Sequence, residues 1–221
     1  MSNVDTLSTA QPSALTEAPV KLYRNPKSGH CHRVELMLAL LGVPYENIDL
    51  DMANGAHREP AYLKISPLGQ VPAIDDNGIT LADSNAIITY LVERYGEPAL
   101  WIGGDPLEKA RVQRWLSIAA GEIAHGPCAA RLVTVFNAPL DHEAAKASSH
   151  TLLAMMEAHL DGRKWLVSDH PTLADIAGYS YIAHAPEGGV SLDPYPQVRA
   201  WLSRIEALPH FVGMARSPVL A

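Results

Sequence analysis

The sequence has little cysteine: Cys31 and Cys128 are the only two among 221 residues. Two cysteines make no disulfide framework, so the chain reads as a reduced protein of a reducing compartment, the cytoplasm. It also lacks a basic surplus. The formal net charge is −7, which disfavours general nucleic-acid binding through phosphate neutralisation. A local anion site at a helix N-terminus stays open. No apolar run approaches the ~18 residues needed to span a membrane. The opening MSNVDTLSTAQPSALTEAP has no basic stretch followed by an apolar one, so it is not read as a secretion signal. Its Ser, Thr, Ala and Pro content reads as a disordered tail over residues 1–19. There is no internal repeat.

What is present suits a globular chain: 48% hydrophobic and 19% charged residues, and enough length for a substantial core. Folding is expected to begin near Val20. VKLY is a short apolar strand. RVELMLALLG has apolar residues at Val34, Met37, Leu38 and Leu41, the spacing of one helix face, and Gly42 fits its stop. YENIDL is a second strand, which makes a βαβ unit with a parallel pair. After a short helical stretch, VPAI and ITL flank DDNG, a hairpin signal. SNAIITYLVERYG is a helix. From Asp105 the pattern changes to long helices. Asp105, Pro106 and Glu108 mark the first start, and that helix is expected to run past Pro127 to Phe136. HEAAKASSHTLLAMMEAHLDG, PTLADIAGYSYIAHA and YPQVRAWLSRIEAL follow. Thr172 and Asp175 form a capping box, a structural feature and not a catalytic pair.

SGHC, at Ser28–Cys31, lies where the first strand hands over to the first helix. It is a CxxC spacing whose first sulfur is replaced by oxygen. Either Ser28 or Cys31 could serve chemistry at that helix N-terminus. The adjacent His30-x-His32 pair has no third and fourth ligand nearby, so no metal site is expected.

Four segments in order, SGHCHRVELMLALLGVPY, PLGQVPAI, ADSNAIITYL and HPTLADI, resemble the cytosolic glutathione transferases over nearly all of residues 20–215. The resemblance implies a thioredoxin-like glutathione-binding domain (βαβαββα) over 20–98, a linker at 99–105, and an all-helical second-substrate domain over 106–221. It also implies glutathione as co-substrate, a small hydrophobic electrophile as its partner, and a homodimer. Ser28 takes the position of the catalytic serine of zeta- and theta-like transferases. That position holds the nucleophilic cysteine of omega-like transferases and glutaredoxins. Ser28 is therefore the expected activator, donating a hydrogen bond to the glutathione sulfur.

The resemblance makes the Val71–Pro72 bond cis and gives Val71 the backbone contact with the extended tripeptide. Asp83 and Ser84, opening a helix, are the expected γ-glutamyl contacts. Gln70 is the choice for the glycyl carboxylate over Lys64 and His57. His30 and Cys31 are expected at the site mouth. Ser117, Gly121, His125 and Arg131 are expected along the second-substrate pocket, with Arg131 steering an electrophile. Two rival readings remain: a glutathione-dependent reductase working through Cys31, and a non-catalytic protein keeping the fold.

Overall fold

The protein is described by a computed structural model over residues 18–218. The expected tail at 1–19 lies outside the described residues except for its last two. Among the described residues, strand β1 (Val20–Arg24) leads through helix α1 (Gly29–Leu40) to β2 (Tyr45–Asp49). A short turn of helix and the one-turn α2 (Pro60–Leu63) follow. Strands β3 (Ala73–Asp76) and β4 (Ile79–Ala82) come next, then α3 (Ser84–Tyr95). The sheet order is β2-β1-β3-β4, with β1 parallel to β2 and antiparallel to β3. This is the expected thioredoxin-like βαβαββα arrangement.

Local chemistry accounts for these elements. Asn77 (φ 53°) and Gly78 (φ 90°) both take the left-handed backbone that a two-residue hairpin turn requires. They close β3 onto β4 in the Asp76↔Ile79 register. The first helix starts four residues earlier than its apolar spacing indicates, because Ser28 caps it: Ser28 Oγ accepts from the Cys31 N–H at 3.4 Å.

The rest is helical. The one-turn α4 (Pro98–Trp101) occupies part of the stretch expected to be a linker, 99–105. Helix α5 (Pro106–Ala120) is capped by Asp105, which accepts from the Leu107 and Glu108 N–H groups. The long helix expected from here to Phe136 is in fact broken. It stops at Gly121, passes through a wide π-type turn at Ala124–Cys128, and resumes as α6 (Ala129–Phe136). Pro127 has no N–H to donate and its ring displaces the preceding turn, which forces the break. Helices α7 (His142–Leu160), α8 (Leu173–Ala183) and α9 (Pro196–Glu206) complete the fold.

One buried hydrophobic core runs through both halves, from Leu22 and Ile74 to Trp115, Ile182 and Trp201. Asp175 ties the second half together from inside it. This fully buried carboxylate accepts from the Thr172 N–H (2.9 Å), the Leu166 N–H (2.9 Å) and Trp201 Nε1 (2.8 Å). The expected capping box is present, and it does more than cap α8. Asp175→Ala would leave three buried donors unpaired, so a loss of roughly 3–5 kcal/mol in urea unfolding is expected. A loss under about 1 kcal/mol would show that the network does not carry α8.

Candidate active site

The β1–α1 loop sits at one end of the sheet. Continuing the β1–β3 register past Tyr23 and Ala73 brings the Val71–Pro72 bond to the level of this loop. That bond is cis. Gln70, just before it, is anchored by its backbone. Its carbonyl accepts from Tyr62 Oη (2.7 Å) and Ser66 Oγ (2.9 Å), while its side chain stays exposed. Lys64 is exposed, and His57 is half-buried with an unpaired Nδ1.

The loop itself is a closed turn. The Ser28 N–H donates to Asn25 O (2.9 Å), and the Lys27 N–H donates to Asn25 Oδ1 (2.9 Å). Ser28 Oγ uses a lone pair on the Cys31 N–H and keeps its own proton. A half-buried hydroxyl whose oxygen already accepts from a helix N–H can donate to a thiolate placed before it.

Cys31 is different. It is 1% exposed, and its Sγ faces inward to the Asn25 N–H at 3.4 Å. Burial pushes its thiol up to about 11, despite the Ser28 and Asn25 contacts that pull the other way. It does not stand at the site mouth as expected, because the first turn of α1 folds it into the core. The two neighbouring histidines also part company. His30 packs edge-on against Tyr181 at 4.9 Å and lies 3.3 Å from Ser84 Oγ. Burial, and then Arg33, hold it neutral at about 3. His32 turns to Ser180 Oγ and Val212 O, both at 2.8 Å.

Asp83 and Ser84 open α3 as expected. Asp83 takes a positive φ of 74°, and its Oδ1 accepts from the Asn85 and Ala86 N–H groups, both at 2.9 Å. That leaves the Ser84 N–H as a donor of this helix start with no acceptor among the described residues. Ser84 Oγ accepts from Arg33 Nη1 at 2.8 Å. Arg33 was not singled out from sequence. Its guanidinium is buried, also reaching Asn85 Oδ1 (2.8 Å) and Ala177 O (2.7 Å), and it has no carboxylate partner among the described residues. Its positive charge therefore lies beside the α3 N-terminus, offset by the nearby Asp83 carboxylate but by no direct ion pair among the described residues. The signal was present: Arg33 stands four residues before Met37, on the buried face of α1.

The expected second-substrate residues divide. Ser117, Gly121 and His125 come together in a groove of about 890 Å³, but it lies between α5 and α7, with Met155 on its far wall. None of Ser28, Val71, Asp83 or Ser84 lines it. Arg131 does not steer anything from a surface. It is 1% exposed and ion-paired to Glu187 at 2.6 Å, and its Nη1 donates to Lys27 O at 2.7 Å.

Residues 18–93 match the family of glutathione S-transferase N-terminal domains, and residues 132–209 match that of the C-terminal domains. A probable glutathione S-transferase of Oryza sativa is 34% identical over 204 residues, 87% of this chain and 94% of its own. The chain belongs to the glutathione S-transferase family. A maleylacetoacetate isomerase of Pseudomonas aeruginosa is 33% identical over 200 residues, 87% of this chain and 93% of its own. Among solved structures, a glutathione S-transferase from Pseudomonas fluorescens superposes with a TM-score of 0.83. It is 29% identical and covers 89% of this chain and 99% of its own. The general activity of the family is conjugation of glutathione to electrophiles.

The inert character of Cys31 is directly measurable. A thiol at about 11 holds far less thiolate at pH 7.5 than a free cysteine, so iodoacetamide labelling of Cys31 should be at least ~100-fold slower. Peptide mapping that finds rapid, stoichiometric alkylation of Cys31 at that pH would contradict this placement.

Proposed function

We propose that this glutathione S-transferase is of the serine type: Ser28 activates the glutathione thiol, and the thiolate attacks a small hydrophobic electrophile. The observation that carries the reading is the Ser28 cap, whose oxygen accepts from α1 while its proton remains to be donated. A thiol of reference value near 8.5 brought to about 6.5 needs roughly 2.7 kcal/mol of preferential thiolate stabilisation. A hydroxyl hydrogen bond and the α1 N-terminus together are of that order.

In this reading glutathione lies extended, pairing its backbone with Val71 beside Pro72. Its γ-glutamyl carboxylate meets the Ser84 N–H and hydroxyl, with buried Arg33 supplying positive charge behind them. Asp83 accepts from the ammonium, and the exposed Gln70 side chain takes the glycyl carboxylate. The electrophile enters at the junction where α6 meets the β1–α1 loop, since the Arg131–Lys27 bond brings those two walls together. Holding both reactants in one cleft lowers the entropic cost of their meeting.

The same proposal divides the chain into a glutathione-binding domain at 20–98, a linker at 99–105 and a second-substrate domain from 106. It also includes a role in detoxification, a cytoplasmic location and a homodimer. Exposed Ile79 on edge strand β4, and the groove walled by Met155, offer apolar surface that a second copy would cover. A thiolate that adds reversibly to a conjugated double bond also catalyses cis–trans isomerisation. The similarity to a maleylacetoacetate isomerase makes that the second reaction to assay.

The test is an ultraviolet titration of bound glutathione. The native complex should show thiolate forming near pH 6.5, so conjugation rises with pH and levels off above that value. Ser28→Ala should return the thiol toward about 8.5, and Cys31→Ala should leave it within about 0.3 units. If Cys31→Ala abolishes activity and Ser28→Ala does not, a reductase working through Cys31 replaces this reading. In sedimentation at micromolar concentration the protein should run at twice its chain mass, and Met155→Asp should shift it toward the monomer. A native monomer would remove the homodimer.

A further inference from the structure

Arg131 and Glu187 form a buried ion pair that the chemistry at Ser28 does not consume. Taking two charges out of water is costly, so such a pair needs a use. Its geometry shows what else it holds. Arg131 Nε donates to Glu187 Oε2 at 2.6 Å, and Nη1 donates to the carbonyl of Lys27 at 2.7 Å. That carbonyl belongs to the peptide unit whose nitrogen is Ser28. The other end of the same unit, the Ser28 N–H, donates to Asn25 O at 2.9 Å. The Lys27–Ser28 peptide plane is thus pinned at both ends, once by its own turn and once from the helical half. Rotation of that plane changes the φ of Ser28, and with it the direction of Oγ.

The anchor on the far side is equally built. Glu187 Oε1 accepts from the Ser217 N–H (3.0 Å) and faces His184 Nδ1 (2.6 Å). The backbone carbonyl of Glu187 accepts from Thr134 Oγ1 at 2.7 Å. Burial alone would raise the Glu187 carboxyl, but His184, the Ser217 N–H and Arg131 hold it below its usual range. The guanidinium therefore rests on a carboxylate that stays charged and is itself fixed from three directions.

We propose that Arg131 is a positioning residue for the reaction: it holds the Lys27–Ser28 peptide so that the Ser28 hydroxyl points at the glutathione sulfur. The inference rests on the serine-type reading. A planar fork is needed, because one group must donate to Glu187 and to Lys27 O at a fixed angle. An ammonium offers a point charge in place of that fork.

Two variants test it. Arg131→Lys keeps the charge pair and so preserves folding. The paired variant Arg131→Met with Glu187→Gln removes both charges and leaves neither buried alone. The readouts are the bound-glutathione thiol titration and the split between kcat and KM, with thermal unfolding as the check on folding. In each folded variant the bound thiol should rise by roughly 0.5–1 unit, a three- to tenfold loss of thiolate below pH 6.5. KM for glutathione should stay within about twofold, because no glutathione contact is touched. In a Ser28→Ala background the paired variant should add nothing further, since the hydroxyl it aims is gone.

A folded variant whose bound thiol titrates as the native does would overturn the proposal. So would a shift that adds in full to that of Ser28→Ala, because Arg131 would then act on the sulfur independently. If Ser28→Ala itself leaves the native titration unchanged, the serine-type reading is what fails.

Discussion

A hydroxyl that caps a helix has its oxygen engaged and its proton to spare. Ser28 is in that position: its Oγ accepts from the Cys31 N–H, at the start of a helix whose free N–H groups add positive potential. One side chain thereby closes the β1–α1 loop and starts α1, with its hydroxyl proton left to be donated. The same capping turn folds Cys31 inward, so the oxygen is presented and the sulfur is withdrawn. Replacing the first sulfur of a CxxC spacing by oxygen thus leaves a hydroxyl in place of a thiol at the presented position.

Two buried arginines join the halves around this turn, in opposite directions. Arg33 reaches from α1 to the Ala177 carbonyl in α8, while Arg131 reaches from α6 back to the Lys27 carbonyl. Their electrostatics differ. Arg131 is neutralised by Glu187, so its work is geometric. Arg33 hydrogen-bonds only to neutral oxygens, and the Asp83 carboxylate at the start of α3 acts on it without a direct ion pair. A buried cation held without a direct ion pair is costly, and the proposed γ-glutamyl carboxylate would offset that cost. On this account the halves are not merely packed together; each supplies a cation that completes the other's polar groups.

Much of this was legible in the sequence, because local rules decided it. The β1–α1–β2 unit follows from apolar spacing, the β3–β4 turn from Asn77-Gly78, and the Thr172–Asp175 box from its residues alone. The long helix expected through Pro127 is broken by a rule just as local: a proline inside a helix opens the preceding turn. Ser28, the Val71–Pro72 bond and Asp83–Ser84 fall around one end of the sheet, since each sits at the edge of an element. The pocket residues were harder. Which way Ser117 on α5 and His125 in the π-type turn after it face depends on how these segments are rotated against α7, and nothing in either segment states it. Arg131 is the clearest case. Its partners, Lys27 and Glu187, lie 104 and 56 residues away, so only the folded chain reveals that it is a clamp and not a surface cation.

The central claim is that the Ser28 hydroxyl meets the glutathione sulfur. The most direct measurement is a crystal structure of the protein with glutathione bound. The account predicts the sulfur within roughly 3.5 Å of Ser28 Oγ, the tripeptide backbone paired at Val71, and Cys31 still buried in the first turn of α1. A sulfur turned away from Ser28, or joined to Cys31 in a mixed disulfide, would contradict it.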